Sequence, residues 1–452
     1  MGCDQCLEGP VPVAAVNTSC AAATAGADVR ARRAFLGLFA ANLVAQGLSF
    51  AAWPLLARIY PPAQMGILGM ATSAMLLLTP MTTLRYEIAL PLCRSAREVR
   101  NLLGLCAVVV AGTSVLLALA LLLAPRAWLA PLGPAAGYRL FLPPALLAFG
   151  AYTVLVYEAT RRGDYPRIAA TRVSQALMAP VLQLVFGLCG FGTSGLLWGF
   201  VLGQWSGTWR LGRGLVTGRR APLRHVTWAG IRDMAWRFRR FAQFSSWAGV
   251  LAGSVNLGNL LFAMLYGPEI GGFVYLADRV LMQPLRVSGN ALLQVFVGEA
   301  GTLLKSGRST LMPLLLSVLW KQTVLSVAWL GLVYLGAAVA MPLVFGHGWG
   351  PAARYVEAMI SGYLPASIAL PASHTLLLLG RQRLAAALDA LRVCALGGCL
   401  LAARVAGVEA LPAVFCFSLV QAAAQCLILA VLVAQVHGHG RRSVAAPGFA
   451  VR

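Results

Sequence analysis

Apolar residues fall along this chain in long blocks bounded by turn residues or charge. A helix needs about 20 of them to cross a bilayer. Twelve runs approach or exceed that length: residues 34–57, 65–92, 101–124, 140–159, 168–190, 196–211, 241–266, 270–297, 313–341, 352–380, 384–406 and 412–436. The sixth is the shortest and is broken by Gly199, Gly203 and Gly207. The expected fold is an all-α integral membrane protein with about 12 transmembrane helices. The runs divide into a bundle over 34–211 and a bundle over 241–436, joined by the segment 212–240. Residues 1–33, without a basic stretch ahead of their mild apolar segment, are expected to be a disordered cytoplasmic tail, and 437–452 a second tail.

Polar groups inside such runs are expensive, so their angular placement is informative. In the eighth run Arg279, Gln283, Arg286, Asn290 and Gln294 follow at steps of 4, 3, 4 and 4, an arc of roughly 80° on a helix. Asn42, Gln46, Ser49 and Trp53 repeat the pattern in the first run. Ser245, Gly249, Ala252, Asn256 and Asn259 give the seventh a small and polar face, and Arg172, Gln175 and Gln183 mark the fifth. These faces suit a shared cavity, although the same residue types also join transmembrane helices to one another.

The two bundles share a repeat. Tyr60-Pro-Pro-Ala-Gln-Met-Gly-Ile-Leu-Gly-Met-Ala71 aligns with Tyr266-Gly-Pro-Glu-Ile-Gly-Gly-Phe-Val-Tyr-Leu-Ala277 at an offset of 206 without a gap, with Tyr, Pro, Gly and Ala coincident. Each copy follows the first span of its half. Two parallel six-helix bundles around a central cavity, related by an axis along the membrane normal, are therefore expected.

Composition sharpens this picture. Of 452 residues, 59% are hydrophobic and 11% charged, against about 25% charged in ordinary soluble domains, which excludes a soluble enzyme. The net charge of +22 suggests nucleic acid until the 36 basic residues are located. Twenty-six are spread over seven pieces on one side of the twelve spans, and only Arg58, Arg126, Arg139, Arg354 and Arg404 lie on the other. That asymmetry puts both termini in the cytoplasm and leaves no nucleic-acid face. The dense patch 212–240, with Trp228 and Trp236 among its arginines, suits a helix at the level of anionic headgroups.

Arg85, Arg279, Arg286, Lys321 and Arg392 fall within the runs. An arginine at midplane costs about 2.5–3.5 kcal/mol on insertion scales, so each must face water, a partner or an anion, or snorkel. On a continuous helix Arg85 and Glu87 point apart. Asp278 lies off the Arg279/Arg286 face, while Asp389 with Arg392 and Glu158 with Arg161 and Arg162 are spaced to pair. His374 reads as a packing residue with a proton-relay alternative. The ten cysteines are scattered, the only close pair being Cys3-Asp-Gln-Cys6, and no further Cys or His stands near that pair at ligand spacing, so no metal or other cofactor is expected. No phosphate-binding glycine loop ending in Lys-Ser or Lys-Thr occurs, so ATP is not the direct drive.

Three stretches carry a family resemblance: LLARIYPPAQMGILGMATS at 55–73, LRYEIALPL at 84–92, and PLVFGHGWGPAARY at 342–355. Together they resemble the bacterial flippases for lipid-linked oligosaccharides, the polysaccharide-transporter branch of the multidrug, oligosaccharidyl-lipid and polysaccharide exporter superfamily. The resemblance spans about residues 33–436. It implies an inner-membrane transporter, not an enzyme, that moves an undecaprenyl-diphosphate-linked sugar repeat to the outer leaflet for O-antigen, capsule or exopolysaccharide assembly. Its partners would then be the lipid-linked oligosaccharide, membrane lipids, a polysaccharide polymerase and a chain-length regulator. Sugar hydroxyls and a diphosphate cannot cross hydrocarbon bare, so a polar cleft open to the lipid tail is required. Arg279 and Arg286, with Arg85 and Lys321, are the candidates for the diphosphate, since Arg binds phosphate oxygens bidentately. Asn42, Gln46, Asn256, Asn259, Gln283 and Asn290 are the candidates for sugar, and Glu87 and Asp278 those for ion coupling. Two other readings are a multidrug antiporter of the same fold, which would favour acidic cavity residues, and a polysaccharide polymerase or ligase. The longest external connection, 125–139, is too short for a catalytic domain.

Overall fold

The computed structural model describes residue 37 and residues 40–93, 95–125, 130–216, 226–239, 241–253, 256–305 and 311–445, and all regular structure among them is helical. The expected N-terminal tail, the middle of the basic linker and the last seven residues lie outside the described residues.

The first half comprises α1 (Ala40–Ile59), α2 (Pro62–Thr83), α3 (Ala96–Leu123), α4 (Leu142–Arg162), α5 (Tyr165–Leu188) and α6 (Gly192–Val216). After it comes the short α7 (Trp228–Arg237). The second half opens on a broken helix, α8 (Ser246–Gly253) and α9 (Leu257–Leu265). It continues through α10 (Pro268–Lys305), α11 (Leu311–Ala340), α12 (Ala352–Ala369), α13 (Gln382–Val405) and α14 (Ala410–Ala445). Counting α8 and α9 as one crossing, each half has six helices, the expected two-bundle architecture. Eight of these crossings are long and apolar enough by themselves to span a membrane. The four that fall short, α6, α8/α9, α10 and α12, hold the glycines and polar groups described below.

Several boundaries depart from the apolar runs. The second run was expected to continue to residue 92, but α2 stops at Thr83. Leu84 and Arg85 adopt left-handed conformations (φ 46° and 58°), and the chain resumes as a 3-10 turn from Tyr86 to Leu92. Left-handed geometry in residues other than glycine costs about 1–3 kcal/mol each and persists only where packing enforces it. Here Tyr86, Ala89 and Leu90 enforce it, buried in a cluster with α3, α4 and α7. The sixth run, read as weak because of its glycines, is a full helix of 25 residues. A Cβ at Gly199, Gly203 or Gly207 would lie 2.7 Å or less from Gln183, Ala179 or Gln175 of α5. The glycines are the surface through which α5 and α6 approach.

The repeat is visible as a reciprocal contact. A Cβ on Gly66 would meet the backbone oxygen of Pro268, and one on Gly272 the backbone oxygen of Pro62. Each glycine accommodates the N-terminal turn of its counterpart helix, as a two-fold relation between α2 and α10 requires. The largest apolar cluster surrounds this contact and joins the halves through Tyr60, Met65, Leu68, Phe273, Trp349 and Tyr355. At the same end Arg58 donates to the carbonyls of Leu343 (2.9 Å) and Val344 (3.1 Å), and the Trp349 indole donates to the Ala57 carbonyl (2.8 Å). This Tyr60 end is therefore closed. Arg58→Ala is expected to loosen it, measured as faster maleimide labelling of Val344→Cys in a background without the native cysteines.

Candidate functional site

Three helices converge on Arg279. α10 supplies it with Tyr275 and Gln283 one turn to either side, α1 supplies Trp53 and Gln46, and α5 supplies Gln175 and Gln183. The Arg279 guanidinium donates to Tyr275 Oη (3.1 Å) and Gln283 Oε1 (3.4 Å). It lies 5.0 Å and 5.5 Å from the ring centroids of Tyr275 and Trp53, which meet edge to face. Among the described residues it forms no ion pair, and its Nε is buried without a hydrogen-bond partner. A cation held by aromatic faces and neutral oxygens keeps its charge available to an incoming anion.

Arg279 faces a cavity of about 260 Å³ between α1, α5, α6 and α10. Its polar lining is Ser49, Gln175, Gln183, Gln204, Tyr275 and Gln283, with no carboxylate. The amides are positioned by the helices they bridge: Gln175 donates to the Gln204 carbonyl (3.0 Å) and Gln183 to the Leu196 carbonyl (2.9 Å). Gln283 donates to Gln46 Oε1 (3.1 Å), so the polar stripes of the first and eighth runs meet. Asn42 accepts from Arg172.

The stripe on α10 does not hold together as expected. Arg286 reaches back along its helix to Asp278 (3.4 Å), which also accepts from Tyr363 Oη of α12 (2.8 Å). Asp278, read as lying off the arginine face and as an ion-coupling candidate, is thus occupied by two donors. Arg286, Asp278 and Asn259 line a separate, tighter space of about 50 Å³ inside the second half, with Arg392 and Gln421. Arg392 is buried and 3.3 Å from Asp389, the expected pair. Asn256 sits at the break between α8 and α9 and donates to the Gly253 carbonyl, and Asn290 is exposed. Lys321 is exposed on the outer surface of α11 beside Trp320 and lines neither space.

Arg85 is also remote from Arg279. It lies beyond the end of α2, where its Nε would touch a Cβ on Gly249. Because the helix has ended, Arg85 and Glu87 do approach, to 3.9 Å, contrary to the continuous-helix expectation. Glu87 is 1% exposed and neither carboxylate oxygen makes a hydrogen bond. Burial pushes its carboxyl up from the ordinary glutamate range, against the opposing charge of Arg85. A raised folded-state value favours the protonated fold, so this contribution is lost as pH rises through it. Glu87→Gln is expected to melt higher than the parent near pH 8 and to lose that advantage fully only as the pH falls below the ordinary glutamate value of 4.5, read by thermal melts in detergent.

Gln204, Tyr275 and Tyr363 were not singled out from sequence. Tyr275 stands one turn before Arg279, so a further step of four back along the eighth-run stripe reaches it, whereas Gln204 lies beside Trp205 and Ser206 in a run read for its glycines, and Tyr363 is recognisable only through its bond to Asp278.

Neither protein-family models nor curated proteins give a match to this chain. Solved structures do. The chain superposes on an inward-facing multidrug resistance MATE family transporter of the MOP superfamily with a TM-score of 0.63 at 14% identity, covering 89% of this chain and 96% of that one. An outward-facing MATE family transporter gives 0.55 at 16% identity, over 90% and 96%. A MOP superfamily transporter from Pyrococcus furiosus Vc1, whose pocket of reversed polarity suggests a different function for it, gives 0.58 at 14% identity, over 90% and 96%. The fold is that of MATE family transporters of the MOP superfamily.

Proposed function

We propose that this protein is a flippase that carries an undecaprenyl-diphosphate-linked oligosaccharide across a bacterial inner membrane by alternating access. The observation that carries the reading is Arg279, a cation without a carboxylate partner in a cavity lined by amides. A carrier of organic cations needs the opposite charge where its substrate binds. In this assignment Arg279 meets the diphosphate, while Gln46, Gln175, Gln204 and Gln283 offer donors and acceptors to sugar hydroxyls. The arginine-rich end faces the cytoplasm, so the closed Tyr60 end is external and the conformation inward-facing, in keeping with the higher TM-score to the inward-facing relative. Rocking of the halves about the Gly66/Gly272 contact would present the cavity to the outer leaflet. A polymerase and a chain-length regulator would take up the product there.

Complementation of a flippase-deleted strain tests the assignment. Arg279→Ala at normal protein level is expected to abolish surface polysaccharide, whereas Lys321→Ala is expected to support it fully. Full polysaccharide from Arg279→Ala would remove the site. Arg286, already paired, is expected to matter less for binding than for holding Asp278 and Tyr363 together.

A further inference from the structure

The segment between the halves does more than connect them. Around α7, Trp228, Arg232, Trp236 and Arg239 follow at steps of 4, 4 and 3 and share an arc of roughly 80°. Ile231 and Met234 occupy another side and are buried against α3. The docking is close and specific. Gly230 abuts Asn101, Val226 fills the space beside Gly104, and Thr227 caps the helix through the Gly230 amide. Arg237 reaches Glu98 Oε1 (2.8 Å), and Tyr86 Oη donates to the Ala235 carbonyl (3.4 Å). The outward stripe is left exposed, with Arg239 stacked on Trp236 at 4.0 Å. A second pair, Arg213 over Trp209 at 5.9 Å, lies at the end of α6.

We infer that the outer face of α7 is a binding surface for anionic phospholipid headgroups. The partner is a membrane and not a protein because the exposed tryptophans surround this end on both halves. Trp209, Trp228, Trp236, Trp247 and Trp320 are each about two-thirds exposed or more. Trp209 and Trp320 lie within about 14 Å of their helix ends at this level. Among the described tryptophans toward the Tyr60 end, Trp349 is buried, Trp53 and Trp329 are half-buried, and Trp198 is moderately exposed. A protein would cover one side, whereas a headgroup layer meets the whole ring. A guanidinium stacked on an indole can still direct its in-plane N–H groups at phosphate oxygens, so the Arg239–Trp236 pair offers an apolar body and an anion-binding edge. Since α7 is fixed to α3 and to the Arg85–Glu87 turn, lipid held there anchors the cytoplasmic end of the first half independently of any substrate.

Brominated lipids test this directly. Full-length protein in phosphatidylcholine vesicles is compared with the same mole fraction of brominated phosphatidylglycerol or brominated phosphatidylcholine, reading tryptophan fluorescence. Local enrichment of anionic lipid reaches roughly fivefold per surface cation, so about twofold stronger quenching by the phosphatidylglycerol is expected. Replacing Arg232 and Arg239 together by Gln should remove most of that difference, with the melting temperature checking the fold. Arg383→Gln, at the same end on α13, should leave it intact. Equal quenching by the two lipids in the parent, an unchanged difference in a folded double variant, or equal loss in Arg383→Gln would each overturn the assignment.

Discussion

Arg279→Gln is expected to weaken binding of a polyprenyl diphosphate by roughly tenfold to a hundredfold, while leaving melting temperature near that of the parent. The size follows from removing charge-assisted hydrogen bonds worth about 1.5–3 kcal/mol. Stability should change little because Arg279 has no carboxylate to strand. Its departure frees only Tyr275 Oη and Gln283 Oε1, both beside the cavity. Arg286→Gln should behave differently, since it leaves Asp278 buried with Tyr363 as its remaining donor. Breaking a buried pair from one side costs about 3–5 kcal/mol, so its first effect should be a lower melting temperature. Titration of both variants with undecaprenyl diphosphate, alongside melts, separates a ligand-facing arginine from a structural one.

Gly66→Ala is expected to destroy transport and to lower the melting temperature markedly, though it adds one methyl group. The new Cβ would overlap the Pro268 carbonyl oxygen, a backbone atom that cannot move without shifting the start of α10. Overpacking in a well-filled core costs about 1–3 kcal/mol when side chains can yield, and here backbone faces backbone. Gly272→Ala should have a similar effect, because its Cβ meets the Pro62 oxygen of α2. The double variant should fall short of the sum, since both changes open one contact. Gly112→Ala, with nothing within 4 Å of the added atom, is the matched control.

That contact shows what the sequence made legible. The Tyr-Pro-Gly repeat at an offset of 206 pointed to two related halves, and the structure brings its two glycines into reciprocal contact. The steps of three and four on the first and eighth runs likewise placed Gln46 and Gln283 on facing stripes, and they bond. Periodicity gives the direction of a Cβ, however, and not where a long side chain ends. Arg279 and Arg286 start within a narrow arc, yet one turns to Trp53 and the other to Asp278. Lys321 shows a second limit. α11 is apolar on every side, so nothing in its pattern separates the lipid face from the core face carrying Gln322. The end of α2 was hidden because Ile88–Leu92 continue the apolar run while the backbone turns at two residues that seldom adopt left-handed geometry.

The account stands most directly on a translocation assay in proteoliposomes. Purified protein would be supplied with a fluorescent undecaprenyl-diphosphate-linked oligosaccharide, and its exposure followed with a membrane-impermeant quencher. The prediction is protein-dependent movement of the lipid between leaflets, lost in Arg279→Gln at equal reconstitution. Movement of an organic cation such as ethidium without movement of the lipid, or full lipid movement in Arg279→Gln, would contradict it.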